Sequence, residues 1–465
     1  MTGAELRDAT LLVAVRGSGV ALQFLAIVAV AWALHEADAG VYFFAYGSAQ
    51  LAAAVARLGL DQALVRNVPS WRHHGEAATV RGALVWASLI GSVAACVVAI
   101  ATAHLVPPDI RSHVVLVVVS MVLSSVWLGA LQGLGRSRAF ATLRDVAQPG
   151  TFVAGLLLVS HDAASALVLL TASYVVTLAW TAALVAKDVG IGPVANPGAS
   201  ALSDALSMWP PGLLAHGSRW ADTLVLGLLV GPVFLATFTP LSRAAALVWF
   251  PLTVLNVSFP PRIALLHRLR RHDGMQALSR AATALSVLTS GALVVVLVPY
   301  LSHVVPWIVP HASDPAVPLA FGILLIGSLL SAATGPSGYT LTMTGLARVE
   351  SLALASGLAA YLVVAVATVP SYGIVAAAVA YAGMHGVTNG LRLKAITSRL
   401  RLNTTGRHHV VAFAAVAGIL VASVGLPPAP LIALQIVALA AIARELVTVV
   451  RAHLRAPRVA PAGPR

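Results

Sequence analysis

Charge is what this chain has least of. Only 10% of its 465 residues are Asp, Glu, Lys or Arg, against about 25% in an ordinary soluble domain. A water-facing surface for a chain of this size cannot be built from so few charges. Soluble enzymes, nucleic-acid binders and disordered chains are thereby excluded. Cysteine occurs once, at Cys96, so neither an internal disulfide nor a thiolate metal site can form. Lysine occurs twice, at Lys187 and Lys394, and neither stands in a G-x-x-x-x-G-K-[ST] run, which leaves no Walker-type ATP site. No C-x-x-C or carboxylate cluster accompanies the histidines, so neither a metal nor a cofactor is expected.

What the chain does have is apolar length, with 59% of its residues hydrophobic. A membrane helix needs about 20 apolar residues. Hydrophobic runs between Pro, Gly and charged breaks predict fourteen spans, at about 8–34, 39–65, 82–105, 113–134, 141–159, 164–186, 207–230, 234–260, 281–305, 317–345, 349–369, 373–391, 410–426 and 429–450. The first reads as a retained helix, since no A-x-A-like site follows it. With the N-terminus placed in the cytoplasm, twenty-four basic residues fall on the inner side and one, Arg111, on the outer. That is the asymmetry of the positive-inside rule, and it predicts cytoplasmic N- and C-termini. The formal charge of +13 is then a topology signal and an attraction to anionic membrane lipid, with no bearing on nucleic acid. The outward loops are short and poor in carboxylates, so the chain is expected not to be an enzyme.

The Gly/Pro-rich stretch 187–204 (KDVGIGPVANPGASALSD) reads as a flexible linker between two halves. The expected organisation is a first lobe over 1–186, a cytoplasmic linker at 187–206, a second lobe over 207–391, two further helices within 410–450, and a basic tail at 451–465. Internal similarity supports it. LHEADAGVYFFAY (34–46) aligns with VGPVFLATFTPLS (230–242), and GLGRSRA (133–139) with GLARVES (345–351), at offsets of 196 and 212 residues.

ARLGLDQALVRNVP (56–69), LQGLGR (131–136), ADTLVLGLLVGP (221–232) and VPSYGIVAAAVAY (369–381), in this order, resemble segments of the polysaccharide-flippase (Wzx-type) branch of the MOP (multidrug/oligosaccharidyl-lipid/polysaccharide) exporter superfamily. The chain departs from that pattern where HE replaces Gly-Pro at 35–36 and where VAAA (375–378) lacks a glycine. The resemblance implies an all-α polytopic membrane protein of two pseudo-symmetric six-helix lobes plus two C-terminal helices, MATE/MurJ-like. It also implies a flippase that moves an undecaprenyl-diphosphate-linked oligosaccharide across the bacterial cytoplasmic membrane by alternating access. Its partners would be that lipid-linked glycan, membrane lipids and a glycan polymerase or ligase machinery.

Charged groups within spans are costly and mark function by default. Four arginines lie there: Arg16, Arg57, Arg219 and Arg243, on spans one, two, seven and eight. In the resembled fold those spans line a central cleft, and guanidinium groups suit a diphosphate. Each has a plainer reading. Arg57 and Asp61 are i, i+4, and Arg219 and Asp222 are i, i+3, so each could be a structural pair. Arg243 follows Pro240 and could snorkel outward. Arg16 has no acidic neighbour on its own helix. His216, on the Arg219 stripe, could sense protonation or simply be a satisfied interior histidine. Pro210 and Pro211 remove two backbone donors and predict an irregular span seven, a candidate gate. The same fold also hosts drug/cation antiporters, which would need buried carboxylates, and a membrane glycan polymerase would need an outer catalytic loop.

Overall fold

A computed structural model describes residues 3–159 and 162–455, with the side chains of 3–13, 199, 211, 215, 257, 258, 424 and 452–455 outside the description. The described residues are helical almost throughout. In chain order the helices are α1 (Gly3–Ala33), α2 (Glu36–Ala56), α3 (Leu60–His73), α4 (Ala77–Ala103), α5 (Arg111–Gly133), α6 (Ser137–Ala141), α7 (Gln148–Val159), α8 (Ala163–Val189), α9 (Ala199–Val230), α10 (Val233–Ala246), α11 (Phe250–Arg268), α12 (His272–Leu297), α13 (Leu301–Ile308), α14 (Val317–Ala333), α15 (Ser337–Met343), α16 (Ala347–Arg399), α17 (Arg407–Gly425) and α18 (Pro428–Arg455). A π-helical turn, Thr142–Ala147, joins α6 to α7.

Ten helical stretches among the described residues are long and apolar enough to cross a membrane. One of them, the 53-residue α16, is two helices joined at Gly373, whose φ of 58° and ψ of −137° are not helical; it carries two of the expected spans. The other expected spans outside that count fall on α6–α7, on α9 and on the shorter apolar α17. The exposed faces are apolar: Leu89, Val93, Val97 and Ile100 form one strip along α4, and Ile432, Ile436 and Val447 lie on α18. In water such strips would be aggregation sites; against lipid tails they are the required surface.

Packing divides the chain into two compact units. The first comprises Met1–Arg243, Ile308–Ser313 and Val369–Ser371, the second Ala244–Trp307, Asp314–Thr368 and Tyr372–Arg465. Lipid tails supply no hydrophobic drive between helices, so close packing depends on small residues. In the first unit α5 is central, against α3, α4 and α8. Gly129 faces the Asp61 backbone, where an added Cβ would come within 2.5 Å of its carbonyl oxygen, and Gly133 faces Leu64. In the second unit α12 packs on α11, α14, α17 and α18, with Gly291 against Ala412 and Gly327 of α14 against Ala382 of α16.

Several expected features take a definite form. The linker segment is held to α4: Arg81 donates to the carbonyls of Val189 and Pro193 at 2.8 Å each, and the Ala195 amide donates to Ala78 at 2.9 Å. Helix α8 starts on a capping box in which the Ser165 amide donates to Asp162 Oδ1 at 2.7 Å. Helix α9 continues through Pro210 and Pro211 to Val230 without interruption, where two successive prolines had pointed to an irregular span. The lost donors cost two bonds of the ladder, and packing against α2 and α3 holds the helix around them. The internal repeat is visible in the backbone. Gly75 and Arg270 are left-handed residues at matching helix ends, as are Gly135 and Gly345. Each pair repeats one hydrogen-bond pattern: Glu76 and Arg271 donate to Trp71 and Leu266, and Arg136 and Leu346 to Leu131 and Leu341. The matching positions are thus 195 and 210 residues apart, one and two residues from the offsets read in the sequence.

Candidate functional site

The four arginines expected inside spans all belong to the first unit, as do Asp61, His216 and Asp222. The helix pair α9–α10 arranges the deepest of them. Gly231, at φ 93°, and Pro232 turn the chain so that Arg243 returns alongside Arg219–Thr223. Arg243 Nη2 donates to Asp222 Oδ1 at 3.0 Å and to Thr223 Oγ1 at 3.1 Å, and Nη1 donates to the Arg219 carbonyl at 2.9 Å. Its guanidinium lies 4.3 Å from the centre of the Trp220 ring. With Asp222 3% and Arg243 13% exposed, this is a buried ion pair. Asp222 therefore pairs with Arg243 across the hairpin, and Arg219 is exposed.

An aromatic stack continues from Trp220. Its ring meets Tyr46 edge-on at 5.0 Å, Tyr46 stacks on Tyr42 at 5.9 Å, and Tyr42 on Phe152 of α7 at 5.9 Å. The Tyr46 hydroxyl accepts from Gln50 at 2.8 Å and lies within the electrostatic reach of Tyr174 of α8. Helix α9 can lie this close to α2 because Gly40 faces the Pro232 backbone, Gly47 faces Thr223 and Gly227 faces Phe44.

The second arginine sits where α2 gives way to α3. Leu58 and Gly59 are both left-handed, at φ 48° and 73°, and a Cβ on Gly59 would strike the Ala205 carbonyl of α9. Arg57 Nη1 lies 3.8 Å from Asp61 Oδ2, and its Nε donates to the Ala53 carbonyl at 3.2 Å. With Gln62, Trp209 and His216 they line a cavity of about 20 Å³, room for about one water. Pro210 is exposed, and the side chain of Pro211 lies outside the described residues.

Arg16 of α1 belongs to a third group. Helix α1 packs along the π-helical turn and α7, and Gly19 approaches Asp145 so closely that a Cβ there would lie 2.5 Å from the aspartate's own. Asp145 lies 3.8 Å from Arg144 Nε and within the field of Arg16. The Arg16 Nε is buried without a hydrogen-bond partner among the described residues. Arg144, half exposed, acts electrostatically on both Arg57 and His216. The three groups are therefore one cluster. Five arginines (16, 57, 144, 219, 243) face three aspartates (61, 145, 222), which leaves two positive charges. Arg144 and Asp145, adjacent in the chain, were not among the site residues that the sequence singled out. The π-helical turn that presents them, a form that recurs at functional sites, leaves no sequence signature here. No group of three or more His, Cys, Asp or Glu that could hold a metal exists among the described residues.

The fold is thus an all-helical one with ten stretches, among the described residues, long and apolar enough to cross a membrane. No protein-family model matches the sequence, and comparison with curated proteins gives no match. Solved structures do match, and they are MOP-superfamily transporters. The inward-closed lipid II flippase MurJ is similar with a TM-score of 0.68 and 10% identity, over 96% of this chain and all of its own. An inward-facing multidrug resistance MATE transporter is similar with a TM-score of 0.67 and 14% identity, over 84% of this chain and 98% of its own. A MOP transporter of Pyrococcus furiosus is similar with a TM-score of 0.57 and 14% identity, over 90% of this chain and 96% of its own. At these identities the likeness establishes the fold.

Proposed function

We propose that this protein is a flippase that carries an undecaprenyl-diphosphate-linked oligosaccharide, a cell-surface polysaccharide precursor, across the bacterial cytoplasmic membrane by alternating access. The observation that carries the reading is the net positive cluster of the first unit. Guanidinium groups offer paired donors to phosphate, and an excess of two positive charges in a low-dielectric region favours an anionic head group. Arg243 is committed to Asp222, so its part is to hold the α9–α10 hairpin. Arg16, Arg144 and Arg219 carry the recognition. The MurJ likeness supports a lipid-linked substrate, and the positive-inside pattern supports cytoplasmic termini. No enzymatic step is proposed, and hand-off to a glycan polymerase or ligase is an extension of the same reading.

The MATE likeness favours a second reading, a drug/cation antiporter. Against it, Asp61 and Asp222 each pair with an arginine and Asp145 lies against Arg144, so none of these three carboxylates is left to an organic cation. Complementation separates the two. In a strain lacking its own polysaccharide flippases, the wild type restores the outer-leaflet pool of lipid-linked glycan. An Arg16→Ala/Arg219→Ala double variant, equally abundant in the membrane, does not. Drug resistance without glycan rescue would establish the antiporter instead.

A further inference from the structure

The basic residues of the inner side differ between the two units in a way that topology alone does not require. In the first unit their guanidinium groups are committed to internal bonds. Arg66 pairs with Asp204, and Arg72 donates to the Leu134 carbonyl at 2.9 Å. Arg81 holds the linker, and Arg136 grips Asp188 at two points. In the second unit Arg268, Arg270, Arg271, Arg399 and Arg401 are all exposed. None of these five guanidinium groups has a hydrogen-bond or ion-pair partner among the described residues.

The five come from two turns that the fold stitches together, one between α11 and α12 and one between α16 and α17. His272 Nε2 donates to the Leu400 carbonyl at 2.9 Å. The Asn403 amide donates to Gln276 Oε1 at 2.7 Å, and Gln276 Nε2 donates back to the Asn403 carbonyl. Beneath them Ile263, Met275, Ile396 and Leu402 are buried in one cluster. The two turns are therefore a single surface in fixed register. Asp273 is the only carboxylate within residues 268–276 and 398–407, and Glu445 of α18 is engaged by Arg407 at 3.6 Å.

Two further features identify what this surface takes. Arg270 and Arg401 both have φ 53°, a left-handed backbone that a Cβ disfavours; the helix end that matches Arg270 has a glycine, Gly75. Strain of this kind gathers at functional sites, and here it sets a guanidinium on each turn. Leu265 and Leu269, one helical turn apart at the end of α11, are 56% and 45% exposed in the same stretch as Arg268 and Arg270. Arginines alone suit any phosphate. Arginines next to bare leucines suit a phosphate carried on acyl chains. We propose that the two turns form a binding site for acidic phospholipid headgroups of the inner leaflet, whose occupancy clamps the turns together. Phosphate oxygens accept from guanidinium groups of both turns, and acyl chains cover Leu265 and Leu269. The inference needs the membrane fold but not the proposed substrate.

The test titrates purified full-length protein, in a neutral detergent, with phosphatidylglycerol or phosphatidylcholine and reads the thermal unfolding midpoint. Phosphatidylglycerol is expected to raise the midpoint and phosphatidylcholine to leave it unchanged. Each arginine beside an anionic lipid surface contributes roughly fivefold in affinity. Arg270→Gly/Arg401→Gly is therefore expected to need roughly thirtyfold more phosphatidylglycerol for half of the shift. Glycine suits both left-handed positions, so this variant folds without lipid at least as well as the wild type, and its weakened response reports the missing charge. Arg444→Gln/Arg451→Gln, an equal loss of charge on α18, is expected to keep the wild-type response. Equal responses from the wild type and the glycine variant, or equal weakening in the α18 variant, would overturn the site. A matching shift from inorganic diphosphate would overturn the assignment to lipid. A shift from undecaprenyl diphosphate at lower concentration, lost in the glycine variant, would overturn it too and give the surface to the substrate.

Discussion

At the scale of single residues, the arginines fall into two kinds that the sequence could not separate. Arg243 is bound on three sides by Asp222, Thr223 and the Arg219 carbonyl and lies over Trp220. Removing one partner of a buried ion pair leaves an uncompensated charge, which costs about 3–5 kcal/mol. Asp222→Asn is therefore expected to lower the thermal unfolding midpoint in detergent sharply. The double replacement Asp222→Leu/Arg243→Met is expected to recover most of the loss, because no lone charge remains. A double variant no better than Asp222→Asn would show that the pair is wanted for its charge. Arg144, by contrast, is half exposed, so Arg144→Ala is expected to leave the midpoint unchanged and weaken head-group binding by roughly tenfold, the equivalent of one charged hydrogen bond. Its recruitment could not be foreseen from Arg144-Asp145 as neighbours in the chain. It depends on Arg16 arriving from a helix that precedes it by more than a hundred residues.

At the scale of elements, the helices follow from apolar runs, and their ends follow from left-handed residues. Gly75, Gly135 and Gly345 take positive φ without steric penalty. Arg270 and Arg401 take φ 53° with a Cβ, at a cost of about 1–2 kcal/mol each. Arg270→Gly and Arg401→Gly are expected each to raise stability by about 1 kcal/mol, and Gly135→Ala to lower it by a similar amount, read as shifts of the unfolding midpoint. The sequence located the ends at Gly135 and Gly345 to within a residue, and ended the spans before Gly75, Arg270 and Arg401 about ten residues early, because those helices run on past their apolar stretches into basic sequence. It placed the repeat one and two residues out of register, because short motif matches align residue types whereas the helix end aligns a backbone conformation. The 187–204 segment read as flexible from its Gly and Pro content; Arg81 on α4, a residue outside it, is what holds it.

At the scale of the whole molecule, the fold was legible from scarcity. A chain this poor in charge has to spend its apolar surface on lipid, and each of the fourteen expected spans coincides with helical structure. The side of the membrane on which the loops lie is open to direct test, and the lone Cys96, exposed on α4, makes the test simple. In a Cys96→Ala background, cysteines placed at Arg270 and Arg401 are expected to resist a membrane-impermeant maleimide in intact cells, and one placed at Asp109 to react. The opposite pattern would invert the topology. The site was less legible than the fold because its charges converge from α1, α2, α7's π-helical entry, α9 and α10, and sequence spacing reports neighbours only within one helix.

The most direct test of the account is a leaflet assay. Purified protein is placed in liposomes carrying a fluorescent undecaprenyl-diphosphate-linked oligosaccharide, and the fraction open to an impermeant quencher is followed. The cationic-cluster account predicts that wild-type protein exposes nearly all of the label, while the folded Arg16→Ala/Arg219→Ala variant leaves the inner-leaflet half protected. Equal exposure by both proteins would remove the cluster from substrate recognition. Protection of the inner half by wild type as well, in protein that is folded and inserted, would contradict the flippase function itself.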